Sequence, residues 1–261
     1  MKELFDRIMG VFSGFGKPQS VDGDFVVLPQ DHTVRDLQDF KEGPRRIEAS
    51  VKVSTARSFV KYVADFMTDY TAVFADLKNE KFTAVLDYHD PVNGPAWGKH
   101  VVSYSCPVDS RWSAWLRLDG KTMSQTDFAL FIETNLLDIV APSGADMLTI
   151  SKELQAKKKI DFKSGQNLAN GDVQFTYNEQ TTGSAGQMDI PQEFKLGIPV
   201  YEGGAKYEVT ARLRYRITDG VLTMWYDLLR PERMAEDAFK EVKNEIEQGL
   251  NDKATFFDGS M

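Results

Sequence analysis

Apolar residues along the chain follow two periods, one typical of amphipathic helices and one typical of half-buried strands. Spacings of three and four residues predict helices at 4–12, 59–66, 128–139, 147–154 and 234–250. Alternating or short apolar runs predict strands at 47–53, 71–77, 81–88, 100–105, 160–163, 172–177, 207–218 and 221–229. The chain therefore mixes helices and strands along its length.

Local signals mark where several of these elements begin or turn. Ser54 or Thr55 can cap the second predicted helix through a hydroxyl group. Thr122 and Gln125 have the spacing of a capping box before the third. Asp219-Gly220 separates two strand patterns, so it predicts a tight hairpin turn.

These elements predict an α+β protein in which a mostly antiparallel sheet packs against several helices. Glycine and proline are frequent between residues 14 and 23, so the N-terminal amphipathic helix is expected on a flexible linker. We therefore divide the chain into the N-terminal helix and linker, 1–24, and a single α+β domain, 25–261. A further subdivision is expected near residue 158, where the chain becomes rich in predicted strands.

Composition narrows the class of protein without identifying its function. Apolar residues make up 42% of the 261 residues and charged residues 27%, which is sufficient for a buried core. The net charge of −8 argues against a uniformly basic binder of nucleic acid or membranes, although a local basic patch remains compatible with it. No apolar run is long enough to span a bilayer, so we expect no membrane partner.

Cysteine usage and the first residues indicate the compartment. Cys106 is the one cysteine, so no intrachain disulfide can form, which is typical of a reducing cytosol. Glu3 and Asp6 interrupt the apolar residues at the start of the chain, and the cleavage pattern of a signal peptide is not present. We therefore expect a cytoplasmic protein.

The common catalytic and cofactor-binding signatures are missing from the sequence, so no catalytic residue and no cofactor is predicted. Asp87 and His89 share one face if a strand continues through them, and His100 could join them from the following strand. Two imidazoles and a carboxylate could hold a divalent metal that activates water for hydrolysis. The alternative is that His89 and Asp90 cap a turn and that His100 forms a local hydrogen bond.

Three arginines follow one face of the predicted hairpin. With a two-residue turn, Arg212 lies opposite Asp227, Arg214 lies opposite Trp225, and Arg216 follows on the same face. Guanidinium groups beside an indole can bind phosphate and stack on a nucleobase. This predicts an anion- or nucleic-acid-binding site at Arg212, Arg214, Arg216 and Trp225. The alternative is a solvated sheet face with an Arg–Asp pair and an Arg–Trp contact, on which Asp227 lies opposite Arg212 and neutralises part of the row.

The N-terminal helix presents a stripe of apolar residues, Leu4, Phe5, Ile8 and Phe12. On a flexible linker, this stripe either folds back on its own domain or docks on a neighbouring subunit. The second alternative predicts a homo-oligomer in which these four residues contribute to the contact between subunits.

Several short stretches of the sequence resemble a known family. They are LDYH at 86–89, WGKH at 97–100, WSAW at 112–115, MSQTDFA at 123–129, FIE at 131–133 and RLRYR at 212–216. The resemblance is to the YfdQ-like proteins of bacteriophages and prophages, and it spans residues 27–230. It implies a phage-encoded protein made in the host bacterial cytoplasm, and it transfers no catalytic residues.

Three hypotheses about function follow. The first is a non-catalytic phage accessory protein that self-associates and binds a host or phage target, for which the phage context suggests a role in counter-defence. The second is a nucleic-acid or nucleotide-binding protein that uses the arginine face. The third is a metal-dependent hydrolase at Asp87, His89 and His100. The missing active-site signature favours the first hypothesis.

Overall fold

A computed structural model describes the backbone of residues 19–21, 25–27, 40–164, 190–218, 221–251 and 253–261. The chain divides into two compact units, Met1–Glu48 and Ala49–Met261. In the first unit, β1 (Gln19–Val21) pairs antiparallel with β2 (Phe25–Val27).

Two sets of expectations fall on residues or boundaries that stay predictions. The predicted helix at 4–12 and the predicted strand at 172–177 lie outside the described residues. The domain boundaries predicted after residue 24 and near residue 158 stay predictions.

The second unit contains five helices and ten strands within its described residues. In chain order they are β3 (Ala49–Val53), α1 (Ala56–Phe66), β4 (Ala72–Asp76), β5 (Lys81–Val85), β6 (His100–Ser105), α2 (Ser110–Leu118), β7 (Met123–Ser124), α3 (Gln125–Thr134), β8 (Ile139–Ala141), α4 (Gly144–Ser164), β9 (Glu193–Pro199), β10 (Lys206–Thr218), β11 (Val221–Leu228), α5 (Pro231–Gly249) and β12 (Thr255–Asp258).

The first sheet of this unit has five strands in the order β12-β4-β5-β6-β3. The three central strands are antiparallel, and each edge strand runs parallel to its neighbour. α1 and α5 cover one face of the sheet, where the ring of Phe82 lies 6.4 Å from that of Phe59 and 4.6 Å from that of Phe239. The opposite face of this sheet is called its outer face below.

The second sheet has five strands in the order β7-β11-β10-β9-β8, all antiparallel to their neighbours. α2 and α3 cover its inner face. There the ring of Trp115 lies 4.8 Å from that of Phe131, 6.0 Å from Phe194 and 5.1 Å from Tyr226. The other face of this sheet contains the outward side chains of the hairpin formed by β10 and β11.

The predicted α+β class, with mostly antiparallel strands and several packed helices, is confirmed. One contiguous hydrophobic core includes residues from both sheets and from all five helices of the second unit. None of the helices within the described residues is long and apolar enough to cross a bilayer.

Helix caps follow the sequence in one case and depart from it in another. The Thr55 hydroxyl accepts a hydrogen bond from the backbone N–H of Ser58, so Thr55 caps α1 as one of the two predicted residues. The predicted capping box from Thr122 to Gln125 is wrong, because β7 keeps the chain extended through Ser124. Ser124 is the cap, and its hydroxyl accepts from the N–H of Asp127.

Two other predicted elements differ from the structure. The helix expected at 128–139 ends at Thr134, because the backbone of Asn135 leaves the helical conformation while its side-chain amide donates to the carbonyl of Phe131. The chain then enters β8 through a short 3-10 turn. The strand expected at 160–163 is part of α4, since no turn residue separates it from the preceding helical segment.

Candidate functional site

The hairpin of β10 and β11 has the register that the Asp219-Gly220 turn predicts. Arg212 lies opposite Asp227 and Arg214 lies opposite Trp225. The inward residues of the two strands are buried in the described part except for the half-buried Tyr207 and the exposed Tyr215, whereas the three arginines are exposed. The structure therefore presents all three arginines and Trp225 on the outward face of the second sheet.

Ion pairs cross this face from strand to strand. The Nε atom of Arg212 lies 2.9 Å from a carboxylate oxygen of Glu193 on β9. The Nε atom of Arg214 lies 3.0 Å from a carboxylate oxygen of Asp227 on β11. Asp227 lies opposite Arg212, as the sequence predicts, and neutralises part of the arginine row. Its ion pair is with the diagonal neighbour Arg214, and Glu193 takes the place beside Arg212.

Arg216 differs from the other two arginines. Its guanidinium carbon lies 6.0 Å from the centroid of the half-buried Trp225 ring, within the range of a cation–π contact. Within the described residues, Arg216 makes no ion pair. Its hydrogen-bond donors can therefore bind a carboxylate or a phosphate while its plane remains beside an indole.

Ion pairs neutralise most of the positive charge on this face. Lys195 forms a further ion pair with Glu208, with 2.7 Å between the charged atoms. The outward cations outside the ion pairs, within the part of the chain that the structure describes, are Arg216 and Lys206, near opposite ends of β10. The face therefore consists mainly of ion pairs between neighbouring strands, with Arg216 and the ring of Trp225 near the hairpin turn. It is not a continuous positive strip.

The candidate metal ligands have separate partners. The carboxylate of Asp87 accepts hydrogen bonds from the backbone N–H groups of Lys99 and His100, at 3.1 and 2.9 Å. The Nδ1 atom of His89 accepts from the N–H of Ala96 at 3.1 Å. These bonds close the loop between β5 and β6, and they give His89 the local role in a turn that the sequence left as an alternative.

His100 lies on the covered face of the first sheet. Its Nε2 atom is 2.9 Å from the hydroxyl of Tyr62, and its side chain is only 5% exposed. Burial lowers the pKa of His100, and the negative charge of Asp87 acts in the opposite direction. The described residues contain no group of three or more His, Cys, Asp or Glu side chains that could hold a metal ion.

Some predicted contact residues cannot be located. Leu4, Phe5, Ile8 and Phe12 lie outside the described residues, so their contribution to an oligomer stays a prediction. The sequence interpretation also missed Glu193, the partner of Arg212, because no strand was predicted between residues 177 and 207. The alternation of Phe194, Leu196 and Ile198 was the signal that could have identified β9.

The chain matches the model of a known protein family. A family model described as "Uncharacterized conserved protein (DUF2303)" matches residues 16–261. No curated protein and no solved structure matches the chain at a significant level.

Proposed function

The chain belongs to the DUF2303 family, whose model covers residues 16–261, and from this premise we propose that it is a phage- or prophage-encoded accessory protein that binds a protein target in the host cytoplasm. The phage origin rests on the resemblance to the YfdQ-like proteins. Self-association through the N-terminal helix and a counter-defence role belong to the same proposal.

The observation behind this proposal is the contact of Arg216 with Trp225 at the end of the ion-paired face. Arginine and tryptophan are enriched at the centres of protein interfaces, where a few such side chains contribute most of the binding energy. Arg212 and Arg214 are already held by carboxylates, so less side-chain entropy is lost when they are covered. Three of the five described cations on the face are paired with carboxylates, which favours a protein partner over a polyanion.

The test compares parent protein with Trp225→Ser and Arg216→Glu variants as bait in host lysate, with and without phage infection. Lys240→Glu, on the exposed side of α5, is the matched charge-reversal control. A retained protein is identified, purified and titrated against each variant by calorimetry. We expect the two hairpin variants to weaken binding by about thirtyfold or more, and the control to match the parent. A target that binds all four proteins equally contradicts the assignment of this face.

A nucleotide or single-stranded nucleic acid is the second candidate ligand for the same face. The specific observation is that the guanidinium of Arg216 lies over an aromatic ring without an ion pair in the described residues. Fluorescence anisotropy with single-stranded DNA and cyclic nucleotides decides between the candidates. Salt-dependent binding that is lost in Arg216→Glu, without any protein partner, supports the second candidate and overturns the first.

A further inference from the structure

The outer face of the first sheet contains a row of five residues from its five strands. The strand registers align Phe257, Phe74, Thr83, Ser103 and Lys52 across β12, β4, β5, β6 and β3. Four strand spacings separate the ends of the row, a distance of about 19 Å. The row therefore begins with aromatic rings, continues with two hydroxyl groups and ends with an ammonium group.

Three aromatic rings form a platform at one end of this row. The rings of Phe74 and Phe257 are stacked, with 5.3 Å between centroids and 23° between planes. Tyr88, from the loop after β5, meets Phe74 edge-on at 5.7 Å and lies 6.3 Å from Phe257. Phe257 is 43% exposed despite these contacts. A large part of one aromatic ring is thus presented to solvent on the surface of a sheet.

Two lysines supply positive charge on the same face. Lys52 ends the row, and Lys81 lies on β5, two residues before Thr83. Neither lysine makes an ion pair within the described residues, although Lys81 lies opposite Asp76. The carboxylate of Asp76 accepts hydrogen bonds from the side chain and backbone of Asn79, which lower its pKa and hold it at the turn.

We infer that the outer face of the first sheet binds single-stranded nucleic acid, with one base on the Phe257 platform and the backbone phosphates near Lys81 and Lys52. Aromatic side chains on a sheet stack bases, and neighbouring lysines attract phosphates. Thr83 and Ser103, between the platform and Lys52, offer hydroxyl groups to base edges or sugars.

The composition of the face distinguishes this ligand from a protein partner. Lysine is depleted at the centres of protein interfaces, and the hydroxyl groups in the row offer little apolar area for a protein to cover. The separation of Phe257 from Lys52 distinguishes it from a mononucleotide, whose base and phosphate cannot reach both ends of the row. This site is on a different sheet from Arg216 and Trp225, so it does not depend on the proposed function.

Fluorescence anisotropy with a labelled oligothymidylate of about a dozen nucleotides tests the inference. The first variant is Lys52→Glu/Lys81→Glu, which reverses the charge of the exposed Lys52 and of the half-buried Lys81. The second is Phe257→Leu, which keeps apolar volume but removes the ring. Lys61→Glu, on the solvent side of α1, is the matched control because α1 covers the opposite face of the sheet. Circular dichroism and thermal melting establish that each variant is folded.

We expect micromolar binding by the parent at roughly 50 mM salt and at least tenfold weaker binding by the double lysine variant. For this variant, the slope of the logarithm of the binding constant against the logarithm of the salt concentration should fall in magnitude by about 1.4, because two phosphate contacts are lost. Phe257→Leu should bind the oligonucleotide at least about fivefold more weakly than the parent. Lys61→Glu should bind it as tightly as the parent does.

Several results would overturn the inference. The first is that the platform and lysine variants bind the oligonucleotide as tightly as the Lys61→Glu control. The second is that thymidine monophosphate binds the parent as tightly as the oligonucleotide does. The third is that the parent does not bind the oligonucleotide at low salt. Loss of binding in Trp225→Ser, with full binding by the Lys52→Glu/Lys81→Glu variant, assigns the anion site to the hairpin and also overturns it.

Discussion

The guanidinium of Arg214 contacts the carboxylate of Asp227 at 3.0 Å, although the hairpin register places Asp227 opposite Arg212. The diagonal contact leaves Arg212 to Glu193 on the other neighbouring strand. β10 is consequently joined by side-chain ion pairs to both β9 and β11.

A double-mutant cycle on Arg214→Gln and Asp227→Asn should give a coupling free energy of about 0.2–1 kcal/mol, because both side chains are exposed to solvent. The same cycle on Arg212→Gln and Asp227→Asn should give a value near zero. Urea unfolding of the four proteins in each cycle measures both couplings. A larger coupling for Arg212 than for Arg214 would contradict the diagonal contact.

The sequence predicted the hairpin well because its register depends on local information. Asp219-Gly220 determines which residues lie opposite each other, and this places Arg214 beside Trp225 without reference to the rest of the fold. The partner of Arg212 could not be predicted in the same way. Glu193 reaches it only because β9 pairs with β10, and the choice between Glu193 and Asp227 depends on side-chain geometry.

Non-local pairing also explains what the sequence did not reveal about the first sheet. No strand was predicted at 255–258, where Phe256 and Phe257 are both apolar, and the contact of Phe257 with Phe74 requires β12 to lie beside β4. No turn signal connects strands that are so far apart in the chain. Asp87 and His89 show the converse, since their spacing suggested a metal site but their hydrogen bonds belong to one loop.

The indole N–H of Trp115 donates to Asp138 at 2.9 Å, and both residues are buried. Asp138→Ala should lower the free energy of unfolding by about 1–3 kcal/mol, because it leaves the indole N–H without its acceptor. Asp138→Asn keeps a carbonyl oxygen at this position, so it should cost less. Urea unfolding followed by tryptophan fluorescence measures both. Equal losses in the two variants would show that the hydrogen bond contributes little.

Gly249, the last residue of α5, lies against Val60 of α1. A Cβ atom on Gly249 would be 2.8 Å from a methyl group of Val60, and a β-branched side chain moves little at χ1. Gly249→Ala should therefore destabilise the protein by about 1–2 kcal/mol despite the better helix propensity of alanine.

The sign of that effect should reverse when Val60 is shortened. In a Val60→Ala background, Gly249→Ala should stabilise the protein by up to about 1 kcal/mol, because only the helix propensity remains. Urea denaturation of the four proteins measures this. A loss of similar size in both backgrounds would exclude the contact with Val60 as its cause.

The lowered pKa of His100 makes stability depend on pH. The folded protein resists protonation of this buried side chain, whereas the unfolded chain accepts the proton at its ordinary pKa of about 6.5. The contribution of His100 is therefore complete above that pH and decreases as the pH falls below it. Urea unfolding at a series of pH values gives the free energy of unfolding at each pH. Below about pH 6.5 this free energy should change less steeply with pH in His100→Gln than in the parent. An equal slope in the two proteins is the contradicting outcome.

Light scattering on the full chain and on a chain without residues 1–12 tests the predicted arm. We expect a homo-oligomer for the full chain and a smaller assembly after truncation, because the truncation removes Leu4, Phe5, Ile8 and Phe12. Phe5→Ser/Phe12→Ser in the full chain should have the same effect. A monomeric full chain contradicts the oligomer, and an unchanged truncated assembly contradicts the role of the arm.

The order in which the chain forms the strands of the two sheets should couple their unfolding. β3 to β6 precede every strand of the second sheet in the chain, and β12 returns after them to pair with β4. The whole second sheet is thus an insertion between strands of the first, and a single break in the chain cannot separate two intact sheets. Together with the shared core, this topology should make residues 49–261 melt in one cooperative transition, with calorimetric and van't Hoff enthalpies that agree.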